Sequence, residues 1–108
     1  MTQPTQTVAQ VGNRTLTDRS GTCAGVANTS TAVMAANPNR DGFYVHNPNA
    51  AGSLFVSEIG ATASSATPIG MIKIGPGGTY FPRDGGVSPS AINIASDTVS
   101  LVYTAREW

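Results

Sequence analysis

Turn-forming residues return about every 8 to 12 positions along this chain, and no stretch between them holds the roughly 10 to 12 residues of 3.6-residue periodicity that a globular helix needs. That rhythm leaves a β-sandwich or a barrel of short strands as the available folds. The punctuation is carried by Asn37-Pro38-Asn39-Arg40-Asp41-Gly42, Pro48-Asn49, Gly75-Pro76-Gly77-Gly78, Arg83-Asp84-Gly85-Gly86 and Ser96-Asp97. Each is built from residues that cap their own backbone or accept turn geometry.

Between these turns the sequence predicts extended segments. Residues 31–36 read as a strand, although the alanines of 32–36 also suit a helical turn. Phe43-Tyr44-Val45-His46-Asn47 alternates, and Ser53-Leu54-Phe55-Val56-Ser57-Glu58-Ile59 reads as the second arm of a hairpin with it, Leu54 and Val56 sharing one face. Residues 61–68 are small and polar without periodicity, the composition of a surface loop. Met71-Ile72-Lys73-Ile74 is a short strand, glycines turn the chain, and Thr79-Tyr80-Phe81 resumes it. Residues 91–95 and 98–105 form the clearest hairpin of the sequence. Residues 14–22 supply a first edge strand with Leu16 as its apolar anchor, and the polar residues 1–13 suit an extended arm or a frayed terminus. The organisation is therefore an arm over 1–13 and one domain over 14–108.

The 108 residues suffice for one core. Charged residues make up 11% of the chain, against about 25% in an ordinary soluble domain. Six basic side chains balance six acidic ones, which leaves no net field to hold nucleic acid or an anionic membrane. Lys73 is the only lysine, although exposed strand edges are usually guarded by charge, lysine above all. Either other subunits cover the edges, or bulges, prolines and short strands protect them. Met1 to Gln10 has no basic start, apolar stretch or cleavage site, and no apolar run approaches the roughly 20 residues of a membrane helix. A soluble compartment, or a particle assembled there, is the expected location.

Groups able to do chemistry are isolated from one another. His46 is the only histidine, and its alternation with Phe43 and Val45 points it away from their side chains. Cys23 is the only cysteine, so it forms no intrachain disulfide; it is either a small buried hydrophobe or half of a Cys23–His46 dyad lacking a third, orienting group. The carboxylates are scattered singly, without calcium-loop spacing. Gly75-Pro76-Gly77-Gly78 leads into a strand and lacks the Lys-Ser/Thr of a phosphate loop. No metal, cofactor or enzymatic activity is expected. Arg40 and Arg83 stand beside Asp41 and Asp84, where they could pair within a loop or across an interface, and Tyr44, Tyr80, Tyr103 and Trp108 are amphipathic rings suited to sugars or subunits. Trp108 needs cover from its own sandwich or from a neighbour.

Residues 35–48, reading Ala-Ala-Asn-Pro-Asn-Arg-Asp-Gly-Phe-Tyr-Val-His-Asn-Pro, with Leu54-Phe55-Val56-Ser57 and Ile72-Lys73-Ile74-Gly75-Pro76-Gly77-Gly78-Thr79-Tyr80, resemble small virion proteins of tailed bacteriophages. The likeness runs over about residues 31–105 as a pattern of strand and turn types. It implies an all-β, small antiparallel β-sandwich, jelly-roll-like, of about seven or eight strands. It further implies a head decoration (cement) protein, with the major capsid protein or other virion subunits and copies of itself as partners, in a virion assembled in the host cytoplasm. The alternative it leaves open is a tail-associated adhesion module binding host glycans. Arg40, Tyr44, His46, Tyr80, Arg83 and Trp108 are the candidate interface residues. Deleting residues 1–13 is expected to leave the domain folded and to weaken its attachment to a partner. A large fall in the melting temperature of the truncated domain would contradict this.

Overall fold

The computed structural model describes residues 15–82 and 86–108. The expected arm and Arg83 lie outside the described residues. Among the described residues nine strands form: β1 (Thr17–Asp18), β2 (Gly21–Thr22), β3 (Thr31–Met34), β4 (Phe43–His46), β5 (Leu54–Ser57), β6 (Ile72–Ile74), β7 (Thr79–Tyr80), β8 (Ile92–Ser96) and β9 (Val102–Glu107). One sheet runs β1-β9-β4-β7, with β2 also pairing β9, and the other runs β3-β8-β5-β6. Every pairing is antiparallel. With β1 and β2 taken as one interrupted edge strand, this is the eight-strand connectivity of a jelly roll.

Chain order and sheet order are almost unrelated. From β2 onward only the step from β5 to β6 stays within a sheet; every other connection crosses to the opposite layer. Neither expected hairpin forms. β4 pairs β7 and β9 while β5 pairs β6 and β8, and β8 and β9 likewise lie in different sheets. The reason lies in the connections. Asn47 is fully buried and its amide donates to the carbonyls of Gly52 and Ile74, both at 3.0 Å, bending the chain after β4 across the end of the sandwich. After β8, Ser96 Oγ donates to Thr98 O, Ser100 adopts φ 56°, and Leu101 drops into the core. Neither connection is the two-residue turn that closes a tight hairpin.

Alternation then fills one core from two directions. Phe43 and Val45 of β4 and Tyr103 and Ala105 of β9 face Leu54 and Val56 of β5 and Ile92 and Ile94 of β8, joined by Val33, Met34, Ile74, Leu101 and Cys23. Leu16, expected as an anchor, is exposed instead, because it precedes β1 at the sheet margin. The only lysine, Lys73, is exposed on the edge strand β6, where a charge discourages pairing with another chain.

β5 does not alternate in burial; all four of its residues are buried. Leu54 and Val56 enter the core, whereas Phe55 and Ala95 point outward and are buried all the same, on the face along which residues 58–71 run. This segment is more than the surface loop its composition suggests. Ala63 is buried, its N–H donates to Ser30 Oγ at 3.1 Å, and Asn93 Nδ2 donates to Ala61 O at 2.9 Å. Asn28, at φ 62°, turns its side-chain oxygen to accept the N–H groups of Ser65 and Ala66. The segment is thus a lid on the outer face of the β3-β8-β5-β6 sheet.

One ionic cluster ties the other end together. The Arg40 side chain is 0% exposed and Glu107 5%, with Nε–Oε1 at 3.0 Å. Arg40 also donates to the carbonyls of Ser88 at 2.6 Å, Ser90 at 2.9 Å and Ala35 at 2.8 Å, while Arg19 Nε reaches Glu107 Oε2 at 2.7 Å. Arg40 is therefore no exposed interface residue. It joins the β3–β4 and β7–β8 connections to the end of β9. Removing one partner of a buried pair leaves the other charge uncompensated, so Arg40→Ala should cost about 3–5 kcal/mol in urea unfolding. Burial pushes the Glu107 carboxyl up, but the bonds from Arg19, Asn37 and Arg40 and the Arg40 charge outweigh it and hold it below its ordinary 4.5. A depressed carboxyl contributes stability above its unfolded value and loses it as pH falls through the lower folded one. Melting temperature should therefore fall with pH below about 4.5, and Glu107→Gln should flatten that dependence from a lower starting stability.

Candidate functional site

The two outer faces of the sandwich are not alike. The lid covers one; across the other, from β9 over β4 to β7, the outward side chains have no such cover among the described residues. Strand alternation decides which residues stand there. Val45 enters the core, so Tyr44 and His46 face out, and on β9 the core residues Tyr103 and Ala105 leave Val102, Thr104 and Arg106 facing out. Register sets them side by side: Tyr44 lies opposite Arg106 and His46 opposite Thr104.

Three aromatic rings lie along this face. The Trp108 backbone pairs with residue 42 in both directions, Gly42 N donating to Trp108 O at 3.1 Å and Trp108 N to Gly42 O at 3.0 Å. Its indole lies directly over Gly42, close enough that a Cβ there would meet Cζ2 at 2.5 Å. Gly42 is two residues before Tyr44 on the same side of the strand, so Trp108 and Tyr44 follow one another along it. The Tyr44 ring meets Phe81, with centroids 5.7 Å apart and planes at 44°. Phe81 is 61% exposed. Beside them His46 Nδ1 and Thr79 Oγ1 share a hydrogen bond at 2.7 Å. Asn49 holds the nearby end of β9 by donating to Val102 O at 2.7 Å and accepting from Val102 N at 3.3 Å.

Charge on the face is balanced. Arg106 lies opposite Asp18 of β1. The Asp18 carboxyl is held below its usual range by hydrogen bonds from Ser20, which outweigh the opposing effect of burial, and the Arg106 charge adds the smallest contribution.

Of the residues singled out in the sequence, the fold brings Tyr44, His46 and Trp108 to this one face. Tyr80 is not with them. The alternation of β7 turns it inward, where its ring lies 6.1 Å from Phe43 and its hydroxyl donates to Glu58 Oε2 at 2.5 Å. Trp108 takes its cover from its own Gly42. Phe81 and Arg106 were not singled out. The β9 alternation was a signal for Arg106, but nothing local sets Phe81 beside Tyr44, because that contact depends on β7 pairing with β4. Phe81 also borders an open groove of about 640 Å³ with Ile72, Thr79, Tyr80 and Gly86.

Cys23 and His46 are kept apart by the sheet itself. Cys23 packs in the core, where burial pushes its thiol up against a smaller lowering from Ser96, and His46 stands on the outside. Among the described residues no three His, Cys, Asp or Glu side chains gather as a metal ion would require. Comparison with protein-family models, curated proteins and solved structures finds no match to this chain.

The single tryptophan makes the face easy to follow. Gly42→Val should force the indole off its seat, giving a red-shifted emission and stronger acrylamide quenching than in the parent. An unchanged spectrum would show that the ring does not rest on Gly42.

Proposed function

We propose that this chain is a structural subunit of a tailed-bacteriophage particle, a decoration (cement) protein that attaches to the shell and stabilises it by bridging shell subunits. The observation that carries this reading is the apolar display on the lid side. Ile69 is 94% exposed and Ile59 69%, both on residues 58–71, and Val26 is 70% exposed on the loop that Asn28 ties to them. Large apolar side chains exposed on two loops that hydrogen bonds link, with only one lysine in the chain, suit a surface that another subunit covers. The strand and turn pattern shared with small phage virion proteins supports the same reading. So does the jelly roll, by analogy of fold alone, since that architecture recurs in viral shells but also in lectins and cupins.

On this reading the lid side meets the major capsid protein or another virion subunit, copies of the chain associate on the particle, and assembly takes place in the host cytoplasm. The lid suits this because it is pinned by hydrogen bonds before any partner arrives, which lowers the ordering cost of docking. Placement on the tail is the second reading, favoured by the aromatic face opposite the lid.

Mass spectrometry of purified particles of the encoding phage should find the chain in a fixed stoichiometric ratio to the shell protein. The double substitution Ile59→Asp with Ile69→Asp should abolish that occupancy while leaving the melting temperature of the free protein unchanged. Particles without stoichiometric copies would refute the proposal.

A further inference from the structure

We infer that the aromatic face of the β9-β4-β7 strands is a carbohydrate-binding site, whose ligand is a short stretch of a neutral glycan laid across Trp108, Tyr44 and Phe81. This inference does not depend on where the protein resides in a particle; it concerns the face opposite the lid.

The size of the face argues for a small ligand. Three strands about 4.8 Å apart and the run from Gly42 to His46 at about 3.4 Å per residue make a platform on the order of 250 Å². A standard protein–protein contact buries about 800 Å² on each partner. A second copy stacked on this face alone would fall well short of that.

The chemistry of the face argues for a sugar. A pyranose ring has a C–H-rich face that packs on an aromatic ring by dispersion and weak C–H contacts, and a rim of hydroxyls that both donate and accept. The rings supply the first requirement: Phe81 is largely exposed and in contact with Tyr44, and the Trp108 indole is seated over Gly42 along the same strand. The second is supplied by the side chains between and beside them, which are His46 with Thr79, Thr104 opposite His46, and Arg106 opposite Tyr44. The face is also preorganised. Tyr44, His46, Thr79, Thr104 and Arg106 stand on paired strands, and Trp108 is fixed by three backbone hydrogen bonds to residues 41 and 42.

Charge selects among ring-bearing ligands. Single-stranded nucleic acid stacks on aromatic platforms too, but it needs a continuous basic track for its phosphates. Here Arg106 faces Asp18 and the whole chain carries no net charge. A polyanion gains little, and a neutral glycan loses nothing.

The test is an array of neutral oligosaccharides built from glucose, galactose, mannose, rhamnose and N-acetylglucosamine, probed with the full chain, with Trp108 fluorescence titration of each soluble hit. At least one glycan should bind and perturb Trp108 emission. Tyr44→Ala and Phe81→Ala should each weaken that binding about tenfold or more. Tyr44→Phe, which keeps the ring, and Ile69→Ala, on the lid, should leave it near the parent value. Unchanged melting temperatures will show that the variants are folded. The inference is overturned if no glycan on the array is retained, if retention ignores Tyr44→Ala and Phe81→Ala, or if the protein is a dimer that Tyr44→Ala dissociates. None of these outcomes bears on copy number in particles, so failure here and failure of the structural reading remain separable.

Discussion

The rest of the structure hangs on the buried contact between Arg40 and Glu107. A fully buried guanidinium is tolerated only when its N–H groups are met, and here Glu107 and three backbone carbonyls meet them. Those partners come from the end of β9 and from two connections that cross between the layers. The same pair fixes the site. Glu107 is drawn inward under Arg40, and alternation then sends its two neighbours, Arg106 and Trp108, outward onto the aromatic face. Phe43, three residues after Arg40, packs under its guanidinium at 5.7 Å and sets the inward phase of β4, which leaves Tyr44 outside. Charge burial, strand phase and ring display are consequences of one local arrangement.

A jelly roll has two outer faces to dispose of, and this chain treats them differently. Residues 58–71 are tied by hydrogen bonds to Asn28, Ser30 and Asn93 on the side where Phe55 and Ala95 are buried, and they present Ile59 and Ile69 to the outside. The opposite sheet keeps its rings and hydroxyls uncovered among the described residues. One side is suited to a broad apolar contact with another subunit and the other to a small ligand. The proposed attachment and the proposed sugar site therefore do not compete for the same surface.

Local chemistry was legible in the sequence and layer assignment was not. Alternation correctly set Leu54 and Val56 on one face and turned His46 away from Phe43 and Val45, since a period of two requires nothing beyond the strand itself. Whether successive strands pair in one sheet or face each other across a core produces the same alternation. Residues 91–95 and 98–105 read as one hairpin although β8 and β9 belong to different layers. Asn47 is what bends the chain across, yet its role depends on the carbonyl of Ile74, 27 residues away. Arg40 misleads for a related reason. It sits in a cluster of turn formers and looks solvated, and only the return of β9 supplies the carboxylate that draws it inside. The lid was hidden by composition, because small polar residues serve equally for a free loop and for one that must lie flat on a sheet.

The unequal treatment of the two faces is most directly measured by solvent paramagnetic relaxation on the free protein, with a soluble gadolinium chelate and side-chain NMR signals as the readout. The account predicts strong enhancement for Tyr44, Phe81 and Val102 and little for Phe55, Ala63 and Ala95. Comparable enhancement of both groups would mean that the lid does not cover its sheet, and protection of both would mean that the aromatic face is already occupied; either result would contradict it.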